Sequence, residues 1–349
     1  MATVGTYYPN LIDAQKQSAE GTVLEILSQQ NPVLDDAMVT VCNQQAIHRH
    51  MIRTGLPSVA WGRLYKGVPQ SKATVQQVDD TTGFLEARSE IDVRLLALAK
   101  DAAKQRLVDS APFLEAMNQE MATGIFYHDV ATTPEKFKGL AARYNAYYDG
   151  PNATKPNIAA GQVVDGGGRG ADNTSIWFVT WGDHATSLLT PEGIPTGVQV
   201  ADKGEEVTLD AAGNKFYVKS TLFSWHVGMF VKDWRYNARI ANIDVSDMLA
   251  GSVDIWKLLR EAYYRLQSRR LNATSSRIAI YMNRDVLEVL DAQSSDRSLI
   301  TNAGTANYTA PGLRRDSIEG KEVLTYRGIP IRETDALLNT EAALPAYAG

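Results

Sequence analysis

The chain has 349 residues, 44% hydrophobic and 21% charged, enough apolar surface for about two folded domains. A net charge of −5 excludes a coat that wraps phosphates with clustered Lys and Arg, though not sparse contact with DNA. The single cysteine, Cys42, excludes an internal disulfide or a Cys-rich metal site, and no apolar run of roughly eighteen residues is present to span a membrane. The opening MATVGTYYPNLIDAQKQ shows no secretory signal pattern.

Residues 1–50 read as a polar arm with short helical patches at 22–27 (TVLEIL) and 34–41, broken at Asn31-Pro32. Such an arm has too little apolar surface for its own core and must pack on the chain or on a neighbour. Glycines and prolines then punctuate β-leaning pieces across 51–90, which predicts a long hairpin turning around 66–72. A two-stranded ribbon is marginal in water, so a projecting one lies on a partner surface.

From 91 to 108 apolar residues recur at helical spacing, and Asp109-Ser110 before Pro112 predict a second helix over 111–126. Its apolar stripe is Phe113, Leu114, Met117, Met121 and Ile125. A helical turn is expected at 134–144, docked by Phe137 and Leu140, and a turn-rich loop at 161–170. Strands follow at IWFVTW, GVQV, EVTL, KFYVKSTLFSW and VGMFV, with AAGN (211–214) as a hairpin turn. Asp247 or Ser252 is expected to cap a helix through Leu266; RIAIYM reads as a buried strand, 283–293 as a helix and 294–320 as a mobile loop. EVLTYRGIPIRETDAL closes the pattern as two strands around a glycine turn.

No motif carries catalytic chemistry. Gly-rich 166–170 has no following Lys-Ser/Thr and precedes a strand, so it reads as a flexible surface loop. His48 and His50 share a strand face but lack a third ligand at metal-site spacing. Cys42 has no nearby cation to lower its pKa and reads as a small buried residue. Arg269-Arg270 and Arg314-Arg315 are the tight basic pairs late in the chain and do not make a DNA-binding stripe. Catalytic, cofactor and metal sites are therefore all expected to be absent. Asp233, Trp234, Arg235, Arg239 and Asp244 suggest a charge network or an interface, since Arg and Trp anchor buried patches.

The motifs in their order resemble the major capsid proteins of tailed phages, with the Hong Kong 97-type fold. DSAPFLEAMNQEMATGIF looks like the start of a spine helix, PEKFKGLAARYN like the Phe-x-Gly-Leu segment after it, and GIPIRETDAL like the closing strand. Within that family, Trp181-Gly182, the Pro191 to Gly193 turn, the Asp210 to Gly213 turn and Asp233-Trp234-Arg235-Tyr236 are similar to the epsilon-fifteen-like podovirus capsids. The likeness covers roughly 85–340, the arm and hairpin being matched by order more than by letters.

The resemblance implies an α+β chain: N-terminal arm 1–50, extended β-hairpin loop 51–90, peripheral domain 91–127 and 312–345 with the spine helix, and axial domain 128–311 with a β-rich insert. It implies self-assembly into pentamers and hexamers of an icosahedral head enclosing double-stranded DNA, in the virion capsid, after assembly in the bacterial host cytoplasm. The expected subunit-interface residues are Trp61, Tyr65, Phe113, Met117, Trp234 and Arg235, with Gly328 and Pro330 in the closing turn. Expected partners are a separate scaffolding protein, because arm and loop use the residues before the first long helix, then a portal protein and non-specifically packaged DNA, with a decoration protein left open. Lys66 and Lys72 lie in the loop, but nothing matches a crosslinking site residue by residue. The alternatives are an encapsulin-type shell of the same fold, or a carbohydrate-binding protein or enzyme using Trp177, Trp181, Trp225 and Trp234.

Overall fold

A computed structural model describes residue 29 and residues 31–98, 101–150, 157–267, 276–300, 313–318 and 321–347. The predicted helical patch at 22–27 lies outside them, as does most of the predicted loop at 294–320. In chain order the first elements are α1 (Val33–Asp36), β1 (Val39–Val41), β2 (Ile47–Gly55), β3 (Thr74–Asp92), α2 (Val93–Leu98) and α3 (Ala102–Tyr127). Then come β4 (Val163–Asp165), β5 (Asn173–Trp181), β6 (Thr186–Thr190), β7 (Gln199–Leu209), β8 (Lys215–Val231) and β9 (Ala238–Asp244). The last are α4 (Val245–Leu249), α5 (Ile255–Arg265), β10 (Arg277–Met282), α6 (Arg284–Ile300), β11 (Leu313–Ile318), β12 (Lys321–Tyr326) and β13 (Ile329–Glu333).

The chain divides into two compact units; one holds 84–122 and 195–226 with Gln29, the other 31–83, 123–194 and the residues from 227 on. In the larger unit β5 is the hub, with all nine residues buried. Antiparallel β10 lies along one edge of it and antiparallel β9 along the other, and β4 runs parallel to β9. Outward from β10 come parallel β13 and then antiparallel β12 and β11. Strand β6 carries β1 parallel on one side and the end of β8 antiparallel on the other.

Alternation along β5 sorts its side chains. Ile176 and Phe178 join a core with Ile240, Leu259, Ile280, Val286 and Leu290 that seals α5 and α6 onto the sheet. Each such side chain, fully buried, contributes about 1.5–3 kcal/mol of transfer free energy. Trp177 meets Phe126, Tyr144 and the Arg239 guanidinium, which sits 4.8 Å above its ring. Arg239 also donates to Ser175 Oγ (3.1 Å), the Tyr144 carbonyl (3.0 Å) and Glu341 Oε2 (2.8 Å). Ser175 and Tyr127 hydroxyls donate to the same Glu341 carboxylate. Burial, with Glu341 alongside, raises the Tyr127 hydroxyl well above its usual range.

The smaller unit is built on the β7–β8 hairpin, paired from Gln199–Ser224 to Leu209–Lys215. Its turn is the one expected: Asp210 Oδ1 accepts from the Ala212 and Asn214 N–H groups, and Gly213 takes φ +83°. Two arginines clasp the hairpin: Arg88 reaches Ser220 and Glu206, and Arg106 reaches Asp202 (2.9 Å) and Thr221 (2.7 Å). Phe113 stacks on Phe223 with centroids 6.2 Å apart.

Several local expectations are corrected. The long helix starts at Ala102 rather than 111, because Asp101 Oδ1 takes the N–H groups of Ala103 and Lys104. Asp109-Ser110 lie inside it, and the Ser110 hydroxyl donates to the Arg106 carbonyl (2.6 Å), a turn before Pro112 removes a donor from the ladder. The helix expected at 34–41 stops at Asp36, and Val39–Val41 is strand. Residues 134–144 are not helical; the N–H groups of Gly139, Leu140 and Ala141 instead take the carbonyls of His128, Ile125 and Phe126, closing the end of α3.

The glycine loop at 166–170 is pinned rather than free, with Gly166 and Gly168 donating to the carbonyls of Ala241 and Asn242. Asp244 and Asp254, not Asp247 or Ser252, cap α4 and α5. Helix α6 runs on to Ile300, and strand β11 falls where a loop was expected. The closing turn is as expected: Arg327 and Gly328 take φ +51° and +80°, the paired left-handed geometry of a tight hairpin, with Pro330 opposite Thr325.

Two outcomes follow for the unassembled subunit. Glu341→Gln leaves the Arg239 charge uncompensated and should cost about 3–5 kcal/mol in denaturant unfolding, whereas Arg239→Met with Glu341→Leu should recover much of that loss. Gly139→Ala should destabilise by more than about 1 kcal/mol, because its Cβ would stand 2.8 Å from the Gly124 carbonyl and 2.9 Å from the His128 nitrogen.

Candidate assembly surfaces

The hairpin of β2 and β3 pairs from Ile47–Thr81 out to Gly55–Thr74, with a register shift between Arg53 and Gly55. Beyond it, every residue from 56 to 72 is exposed. The tip folds on itself sparsely, through an isolated bridge between Arg63 and Lys66 and the Ser71 hydroxyl donating to the Ser58 carbonyl (2.7 Å). Tyr65 turns the corner at φ +63°. Leu56, Val59, Trp61, Leu64, Tyr65 and Val68 are all at least 70% exposed, so none is used in a core of this chain. An open cleft at the tip is lined by Trp61, Arg63, Lys66, Val68 and Pro69.

The six residues expected at an interface fall into different settings. Trp61 and Tyr65 are fully exposed at this tip. Phe113 is half-buried against Phe223 on α3. Met117 is a correction: at 3% exposure it belongs to the chain's own core and offers no surface to a neighbour. The helix around it does offer one, since Leu107 and Leu114 on α3 are exposed. Trp234 is half-buried, packed by Tyr144, whose hydroxyl donates to the Trp234 carbonyl (2.8 Å). Arg235 is exposed, but its guanidinium is held by Asp233 at 2.9 and 2.6 Å, and that ion pair raises its pKa. The pair rigidifies a 3₁₀ turn at Trp234–Tyr236 within the larger unit.

The remaining motifs resolve into structural roles. Trp177 and Trp181 are fully buried, so the tryptophans cannot form one exposed sugar platform, and that alternative loses its site. Cys42 packs with Leu189 and Phe230, and burial pushes its thiol up, away from reactivity. Among the described residues no group of three His, Cys, Asp or Glu could hold a metal ion. No helix among them is long and apolar enough to cross a membrane. Sequence reading missed the Arg239–Glu341 clamp, although an arginine inside the apolar strand ARIANID was its visible signal.

Comparison with known proteins agrees with this geometry. A family model described as major capsid protein GP7 matches residues 15–345. The structure of bacteriophage Epsilon15 aligns at TM-score 0.71 and 28% identity over 99% of each chain. The capsid of a native GTA particle aligns at TM-score 0.41 and 13% identity, over 63% of this chain and 92% of that one. The SrpI encapsulin of Synechococcus elongatus PCC 7942 aligns at 0.41 and 11%, over 66% and 95%. No curated protein sequence matches the chain. The fold is the Hong Kong 97-type capsid fold, and the role is that of a structural protein of the virion rather than an enzyme. The chain belongs to the GP7 family of major capsid proteins, the shell subunits of phage heads.

Proposed function

We propose that this subunit assembles into pentamers and hexamers of an icosahedral head that encloses double-stranded DNA, and that it does so in the bacterial cytoplasm. The observation that carries this reading is the hairpin tip, a run of exposed apolar residues with no core of its own. Contiguous exposed apolar surface of this kind marks an interaction site. Placing it against another copy lets each subunit bury surface on several neighbours, as a closed shell requires. Trp61 and Tyr65 are the anchors of that contact, with Phe113 and the Trp234–Arg235 turn as further contact points. A separate scaffolding protein and a portal protein are its further partners. The net charge of −5 suits DNA held loosely and without sequence preference.

Electron microscopy of the purified protein, with scaffold supplied, should show closed polyhedral shells; a homogeneous monomer or dimer under those conditions overturns the reading. In the same assay Trp61→Ala with Tyr65→Ala should reduce shell yield by at least about tenfold. Its effect on subunit stability should stay within about 0.5 kcal/mol, because both side chains are exposed. Shells at wild-type yield from this variant would remove the tip from the interface.

A further inference from the structure

The root of the hairpin carries a buried cluster that assembly does not explain. Asp80 on β3 and Arg143 form an ion pair at 2.7 Å, both nearly inaccessible, and Arg143 also donates to the carbonyls of Met229 (3.0 Å) and Lys138 (3.2 Å). Against this pair lie His48 and His50 of β2, with ring centroids 6.1 Å apart. His48 stacks on Phe230 of β8 at 4.6 Å, and His50 Nδ1 is 3.9 Å from Asp80 Oδ2. Five buried polar atoms here make no hydrogen bond: His48 Nδ1, both His50 nitrogens, Asp80 Oδ2 and Arg143 Nε. Buried polar atoms are ordinarily partnered, so this concentration stands out.

We propose that this cluster is an acid-labile joint, which holds the hairpin root closed while both imidazoles are neutral and releases it when they take up protons. The charge balance at the site supports this. Asp80 and Arg143 already neutralise one another, and the other charged groups that act on the histidines are Lys232, just past the end of β8, and Asp79, whose carboxylate interacts with His50. Arg49 and Asp79, the neighbouring strand residues, pair with each other at 2.8 Å. One imidazolium could borrow Asp80 Oδ2. A second would face the first, Arg143 and Lys232 in a desolvated site, where the remaining carboxylate, Asp79, is already taken by Arg49.

Burial is the main cause that holds both imidazoles below their usual 6.5, and Lys232 adds to it, with Asp80 opposing; for His50 the neighbouring His48 and Arg143 add as well. The opened root therefore binds protons more readily than the closed one. The closed state keeps its stability above pH 6.5 and loses it as the pH falls below that value. One unit below 6.5, each imidazole that the closed root keeps neutral favours opening by about 10-fold.

Hydrogen exchange of the folded subunit at about pH 7.5 and about pH 5.5, corrected for the intrinsic pH dependence of exchange, reads this directly. We expect opening of 47–53 and 75–81 to rise by at least about 10-fold at the lower pH relative to the strands around β5. His48→Phe with His50→Leu should abolish the difference. An unchanged root in the wild-type protein, or acceleration spread evenly over the chain, overturns the proposal, and this wild-type result decides even if the double variant fails to fold. Because the measurement uses the unassembled subunit, it stands or falls separately from shell formation.

Discussion

A guanidinium that cannot reach water governs how the larger unit closes. Arg239 sits at 3% exposure on β9, beside the fully buried hub strand β5. An isolated charge there would cost several kcal/mol, so the fold surrounds it with acceptors: Ser175 from β5, the Tyr144 carbonyl from the segment that closes α3, and the Glu341 carboxylate. Glu341 is fixed in turn by the Tyr127 and Ser175 hydroxyls, and its backbone bridges to Asn173. Sheet, helix end and late chain thus meet at one carboxylate. The tryptophan under the guanidinium, Trp177, is held in place by the same arrangement.

The hairpin follows a different logic. Its root is built into the larger unit through the Asp80–Arg143 pair and the stacking of His48 on Phe230. Its tip invests nothing in the chain's own stability, as the full exposure of Trp61 and Tyr65 shows. The apolar residues of the tip are therefore available to a neighbour without loss to the subunit. Separating a root buried in the subunit from a tip left exposed suits a shell protein, whose last stabilising contacts form between copies.

Much of this could be read from the residues because the signals were local. The hairpin, the Asp210–Asn214 turn, the RIAIYM strand and the Arg327-Gly328 turn each rest on alternation or on turn chemistry within a few positions. Caps were harder. Asp109-Ser110 before Pro112 has every mark of a helix start, yet Asp101 eight residues earlier takes that role and the proline is absorbed into α3. The segment at 134–144 misled because Phe137 and Leu140 are indeed buried, but by docking on the end of α3 rather than by turning into a helix. Met117 shows the same limit from the other side: a stripe on a helix says which face is apolar, not whether the chain itself or another copy covers it.

The clamp also sets a schedule for synthesis. Arg239 and its carboxylate partner are separated by 102 positions in the chain. At ribosomal speeds of about 5–20 residues per second, Glu341 emerges about 5–20 s after Arg239. Through that interval β5 and β9 can be present but cannot bury the guanidinium without leaving it uncompensated. The nascent subunit thus has no neutralised hub until Glu341 has left the ribosome.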